Sequence, residues 1–343
     1  MAGAKTMEAY LYRKSDDSRV ICNLCKHHCL IKDGRRGKCG VRENREGILY
    51  TLVFGKLIAR HIDPIEKKPL YHFMPGSLSY SIATVGCNFK CRFCQNADIA
   101  QMPEDHKGLI VGDSCTPESV VAAAIQGNCR SISYTYTEPT IFFEFAYQTA
   151  RLAAEKGLKN VFVTNGYMTE EALEMIHPCL DAANVDLKAF TEKYYRELCG
   201  AKLNHVKETL IQMKNRGIFL EVTTLIVPGL NDNPREIEGL AAFLAADLGP
   251  ETPWHISRFH PTYKLTDRPP TPLATLEKAR EIGLASGLKY VYTGNVPGEG
   301  GENTDCPNCG RLLIERWGFQ VQNNLIEHGA CRFCGADIAG VDL

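Results

Sequence analysis

Three thiols stand close together at Cys87, Cys91 and Cys94, spaced Cys-x3-Cys-x2-Cys, directly after the apolar run Ser81–Val85 and Gly86. Cysteine thiolates are the usual ligands of iron–sulfur clusters, and four of them close a cubane. No fourth cysteine follows nearby, so a [4Fe–4S] cluster held here keeps one iron open to a small ligand. Chemistry at a cluster needs that opening, because a fully ligated cluster can only pass electrons. The competing readings, a three-legged zinc site or unligated core thiols, are weaker, since short cysteine spacings in an intracellular chain usually mean metal.

Two further sets flank this one. Cys22, Cys25, Cys29 and Cys39 fall within 18 residues, joined by glycine-rich turns with almost no apolar sequence. Such a segment cannot build a core of its own, and a metal would supply its fold. Zinc and an auxiliary iron–sulfur cluster both accept four thiolates, and the spacing does not choose between them. Near the other end, Cys306 and Cys309 precede Gly310, and Cys331 and Cys334 precede Gly335. These are two Cys-x2-Cys-Gly knuckles separated by 21 residues. The segment from Leu312 to Val321 reads as strand, turn and strand, the layout of a zinc ribbon. The alternatives are a second electron-transfer cluster or a packing module.

The elements that must position the central thiols form a repeat. Apolar β-type runs occur at 79–85, 131–136, 160–164, 184–187, 218–227, 254–259 and 289–292. Between them lie helices with polar caps at Thr116, Thr140, Thr169, Thr191, Asn204, Asn233 and Thr271, and glycines or a proline past their ends. Alternation of this kind makes an α/β fold, and about six repeats suit a partial (β/α)6 barrel. In such barrels the chemistry sits at the carboxyl ends of the strands. The first end carries Cys87, Cys91 and Cys94, and the next three carry Glu138, Asn165, and Asp186 with Lys188. His260 follows the sixth run, and the loop from Gly294 to Gly298 follows the last. The chain thus divides into a cysteine-rich segment (1–75), a core (76–300) and a four-cysteine module (301–343).

Composition is that of a soluble globular protein, with 44% hydrophobic and 23% charged residues in 343. A net charge of −1 gives no electrostatic reason to expect nucleic acid or membrane as partner. No stretch is long and apolar enough for a membrane span, and the first ten residues lack a leader pattern, so a cytoplasmic location is expected. Of fifteen cysteines, eleven fall in the three sets, which fits metal sites in a reducing compartment better than a disulfide scaffold.

The Cys-x3-Cys-x2-Cys pattern, with Phe93 before its last cysteine, resembles the signature of radical S-adenosylmethionine (SAM) enzymes. That resemblance implies that the open iron takes the amino and carboxylate groups of SAM, and that reduction splits SAM into methionine and a 5′-deoxyadenosyl radical. Tyr136-Thr137-Glu138-Pro139 looks like the family's Gly-Gly-Glu-Pro element with both glycines replaced, leaving Glu138 to hold SAM. The elements at Asn165, at Asp186 and Lys188, and at His260 are similar to SAM contacts in glycyl-radical-enzyme activases. Over its full length the chain resembles the radical SAM member of the AmmeMemoRadiSam system. This implies Memo-like and AMMECR-like proteins as partners and a low-potential electron donor such as ferredoxin or flavodoxin. The substrate is not implied; a partner protein, a small molecule or a nucleic acid would each serve, and a non-catalytic metal-dependent adaptor is the rival from another class.

Overall fold

The computed structural model describes residues 6–296, 298 and 300–343. Pro297, within the loop expected after the last strand, lies outside the described residues. The described residues form two compact units, one within 6–62, 79–181 and 199–201, the other within 63–78, 182–198 and 202–343.

In the first unit the expected repeat yields parallel strands at Leu78–Ala83, Ser131–Tyr134 and Lys159–Thr164. Ser131 lies between Ser79 and Lys159, and Tyr134 between Ile82 and Phe162. All four residues of the middle strand are buried, as expected of a parallel strand covered on both faces. Helix Pro117–Gln126 opens on a reciprocal capping box between Thr116 and Ser119, and helix Glu170–Ile176 on Thr169, whose hydroxyl accepts from Ala172 N. Both caps stand where the sequence puts them.

The cysteine-rich segment of this unit is two small antiparallel sheets, Tyr12–Lys14 with Val20–Cys22 and Leu30–Ile31, and Met7–Glu8 with Ile48–Thr51 and Arg42–Arg45. Strands this short are marginal alone. Bonds distant in sequence fix them: Lys26 N donates to Tyr167 O (3.0 Å), and Thr169 Oγ1 to Asn23 O (2.8 Å). Arg42, buried to 1% exposure, donates through Nη2 to Tyr10 O and to Glu144 Oε1, each at 2.6 Å.

The second unit continues the alternation with parallel strands Ala182–Asp186, Phe219–Ile226, Trp254–Arg258 and Val291–Gly294. Helices Leu203–Asn215, Pro234–Phe243 and Leu273–Ala285 intervene. The fold is therefore α/β, parallel strands alternating with helices, with a four-cysteine module at its C-terminal end. Within that module, strands Thr304–Asp305, Leu312–Trp317 and Gln320–Asn324 form one antiparallel sheet.

Tyr71, Tyr290 and Tyr292 pack with Leu313, Ile314, Ile326 and Ile338 to seat the module in its unit. A buried polar chain runs through the same interface. His72 Nδ1 faces Ala339 O at 2.7 Å, so it carries the proton, and Nε2 accepts from the Tyr292 hydroxyl. Burial drives the His72 imidazole down to about 4, against an ordinary value of 6.5. The neutral ring is thus built into the folded state, while the unfolded chain takes up a proton below about pH 6.5. Stability contributed by His72 is present above that pH and lost as pH falls toward 4, by about 3 kcal/mol in all. Urea unfolding at pH 7.5 and pH 4.5 checks this; the drop should shrink in His72→Gln, and an equal drop in that variant would remove His72 as its cause.

Candidate metal and cofactor centres

The loop that carries Cys87, Cys91 and Cys94 leaves the first core strand at Gly86, whose φ is +102°. A Cβ there would fall 2.6 Å from Val41 Cγ1 and 3.1 Å from Cys39 O, so glycine is required by both conformation and space. Beyond it, Phe89 and Phe93 are buried and anchor the loop while Cys87 and Cys94 stay half-buried. Phe89 N points at Cys87 Sγ from 3.4 Å, and Asn165 Nδ2 lies 3.9 Å from the same sulfur. N–H donors aimed at a ligand sulfur are the surroundings that stabilise a cluster thiolate. Burial, reinforced by the nearby Glu138 charge, pushes the Cys87 thiol well above its ordinary value. A bound cation at the sulfur is what reverses such a shift. The donor set and its surroundings therefore fit an iron–sulfur cluster.

Glu138 and Asn165 come to this loop from the ends of the second and third strands. Glu138 is 2% exposed and its carboxylate is engaged on both oxygens. Oε1 accepts from Thr140 N (3.1 Å), Thr140 Oγ1 (2.6 Å) and Thr164 Oγ1 (2.7 Å), and Oε2 from Asn165 N (2.8 Å). Burial pushes the carboxyl up, and these donors pull it back. The acid is a clamp between two strand ends, and the residue it positions is Asn165. Asn165 Nδ2 in turn donates to Asn88 Oδ1 at 2.8 Å. Tyr136, two residues before Glu138, has φ at +61°. That left-handed conformation costs a residue with a side chain about 1–3 kcal/mol. The Tyr136 carbonyl accepts from Asn96 Nδ2 at 2.8 Å, two residues after Cys94.

In the second unit, Lys188 Nζ pairs with Asp186 Oδ2 at 2.9 Å, and Lys188 N donates to the Tyr195 hydroxyl. The cation expected at this strand end thus shares its charge with the acid two residues before it. His260 is exposed after strand Trp254–Arg258.

The four C-terminal cysteines converge. Their sulfurs all lie within 4.8 Å of one another, with Cys306 to Cys334 at 3.6 Å and Cys309 to Cys331 at 3.8 Å. Tetrahedral zinc with Zn–S bonds near 2.3 Å sets its thiolates about 3.8 Å apart. Each knuckle turns on a glycine at positive φ, Gly310 (+70°) and Gly335 (+71°), whose N–H donates back to Cys306 O and Cys331 O. The Asn308 amide, donating to Cys334 Sγ at 3.5 Å, holds that thiol down at about 6.

Sequence reasoning passed over Asn88 and Arg42. Asn88 sits inside the central cysteine loop, and no local pattern marks it. Arg42 shares a strand face with Asn44 by the alternation of a strand, which was the available signal.

Comparison with known proteins agrees with this geometry. A model described as the Radical SAM superfamily matches residues 81–244. An uncharacterized protein of Methanocaldococcus jannaschii is 50% identical over 333 residues, spanning 96% of this chain and 98% of its own. A second protein of that organism, which carries the name of a glycyl-radical enzyme activating enzyme, is 28% identical over 173 residues, 49% of this chain and 68% of its own. The crystal structure of a radical SAM methyltransferase from Sphaerobacter thermophilus shares the fold with a TM-score of 0.50 at 16% identity, covering 70% of this chain and 71% of that one. On these grounds residues 81–244 of the chain are similar to the radical SAM superfamily, and the chain as a whole is similar to the uncharacterized methanogen protein.

Proposed function

We propose that this protein is an enzyme that holds a [4Fe–4S] cluster on Cys87, Cys91 and Cys94 and cleaves SAM reductively to abstract hydrogen from a substrate. The observation that carries the reading is the three-thiol loop at the end of the first parallel strand, with donors from Phe89 and Asn165 aimed at Cys87 Sγ. With both groups bound, the centre supplies one-electron cleavage of SAM to methionine and a 5′-deoxyadenosyl radical. The chain's own part is orientation. Glu138 locks Asn165, and Asn96 fixes the Tyr136 carbonyl, so the loop and the second and third strand ends move as one piece. Lys188, shared with Asp186, and the exposed His260 are the remaining residues proposed to contact SAM.

The electron comes from a low-potential donor of the ferredoxin or flavodoxin class, and the compartment is the cytoplasm. The full-length resemblance supports a place in the AmmeMemoRadiSam system, with Memo-like and AMMECR-like proteins as partners and a partner protein as the substrate. Anaerobic reconstitution followed by electron paramagnetic resonance with and without SAM tests the reading. A reduced-cluster signal that shifts on adding SAM, and release of 5′-deoxyadenosine under dithionite, are expected. Protein that takes up iron and sulfide but releases no 5′-deoxyadenosine would instead be the adaptor.

The C-terminal set is proposed to hold zinc, on the strength of its sulfur spacing. Cys331→Ser should lower zinc from about one per chain to almost none. Because metal binding at such a site is folding free energy, limited proteolysis should then cut within 304–338. Full zinc with unchanged cleavage would refute the assignment.

A further inference from the structure

The N-terminal cysteines are arranged differently from the C-terminal set, and the difference bears on what they hold. Among the described residues, no three sulfurs of Cys22, Cys25, Cys29 and Cys39 lie within 4.8 Å of one another. They surround a cavity of about 20 Å³, more than the one probe sphere that a single water fills. Tetrahedral zinc draws four thiolates to about 3.8 Å apart and leaves no space between them, as at Cys306, Cys309, Cys331 and Cys334. A cubane puts each thiolate on a different iron, so its ligand sulfurs stand farther apart around a filled centre.

A second observation points into the same cavity. Arg42 lines it, is 1% exposed, and has Nε and Nη1 buried without a partner, its Nη2 being taken by Tyr10 and Glu144. Asn88 lines it too, with Nδ2 buried and unpartnered. Buried donors left unpaired cost about 1–3 kcal/mol each, so three of them around one cavity call for an acceptor in it. Bridging sulfides and cysteine thiolates accept N–H bonds, and the negative charge of a four-thiolate cluster answers the guanidinium.

We infer that Cys22, Cys25, Cys29 and Cys39 hold a second [4Fe–4S] cluster, ligated at all four irons, with Arg42 and Asn88 donating to its sulfurs. Four protein ligands leave no iron open, so this cluster does not bind SAM. The inference is independent of the radical reading, since it concerns other ligands and another cavity.

Iron, sulfide and zinc are measured on the anaerobically reconstituted full chain and on the Cys87→Ala, Cys91→Ala, Cys94→Ala variant. About eight irons per wild-type chain and about four in the triple variant are expected, with one zinc in each. The variant's reduced signal should be insensitive to SAM. Adding Cys25→Ser and Cys39→Ser should take iron to almost none. About four irons in the wild type falling to almost none in the triple variant, with a second zinc in each, would overturn the inference. Two zincs per wild-type chain would overturn it even if a variant fails to fold. Loss of SAM cleavage in the wild type with about eight irons present would sink the radical reading and leave this one standing.

Discussion

Replacing Cys87, Cys91 and Cys94 together with alanine is expected to abolish release of 5′-deoxyadenosine, to below the limit of a chromatographic assay. The three thiols are the only protein ligands proposed for the SAM-binding cluster, and the cofactor carries the chemistry. Removing them removes the reaction, whereas removing an orienting residue only slows it. Folding should survive. Phe89 and Phe93 hold the loop in the core by their own burial, and Gln101 Nε2 donates to Phe89 O at 3.0 Å independently of the thiols. Circular dichroism and the C-terminal zinc content should match the wild type. Cleavage persisting in the triple variant would place the centre elsewhere.

The second large effect belongs to Glu138. Its carboxylate accepts from four donors and donates to none. In Glu138→Gln the amide NH2 must face one of those donors, whichever way it is turned. Hydrogen bonds to a charged group are worth about 1.5–3 kcal/mol, and a buried donor left unpaired costs about 1–3 kcal/mol. The loss should therefore appear twice. SAM affinity falls about ten- to a hundredfold as Asn165 slips from its place beside Cys87, and the unfolding midpoint falls with it. A residue that merely touched SAM's amino group would lose affinity and keep its stability. Anaerobic SAM titration and denaturant unfolding of one preparation separate the two, and wild-type values in both would end the role.

That contrast shows where the sequence could be read and where it could not. The strand ends that carry Cys87, Glu138, Asn165 and Asp186 were legible because apolar runs stop there and ionisable or amide residues begin. Helix starts at Thr116, Thr169 and Asn233 were legible because the capping residue and its target lie within three residues. Thr140, Asn204 and Thr271 carry the same signal and do other work. The Thr140 hydroxyl donates to Glu138, and Glu138 itself caps the short turn Pro139–Phe142. Glu192, eleven residues upstream, accepts from Leu203 N and so takes the place expected of Asn204. The Thr271 hydroxyl donates to Ile226 O. A polar side chain chooses between capping a helix and another partner, near or far in sequence, and only the folded surroundings decide which. Arg42 and Asn88 were hidden for the same reason. A donor reads as structural or functional only when its surroundings are known.

The bond from Thr169 Oγ1 to Asn23 O spans 146 positions of the chain. At ordinary ribosomal speed, residue 169 emerges on the order of ten seconds after the first cysteines. Until then Cys22, Cys25, Cys29 and Cys39 have neither Tyr167 nor Thr169 to brace them, nor Glu144 to pair with Arg42. During translation the earliest thiols to leave the tunnel thus wait for partners more than a hundred residues downstream before they are enclosed. A carrier delivering iron and sulfide would find them open for that whole interval, and so would oxygen.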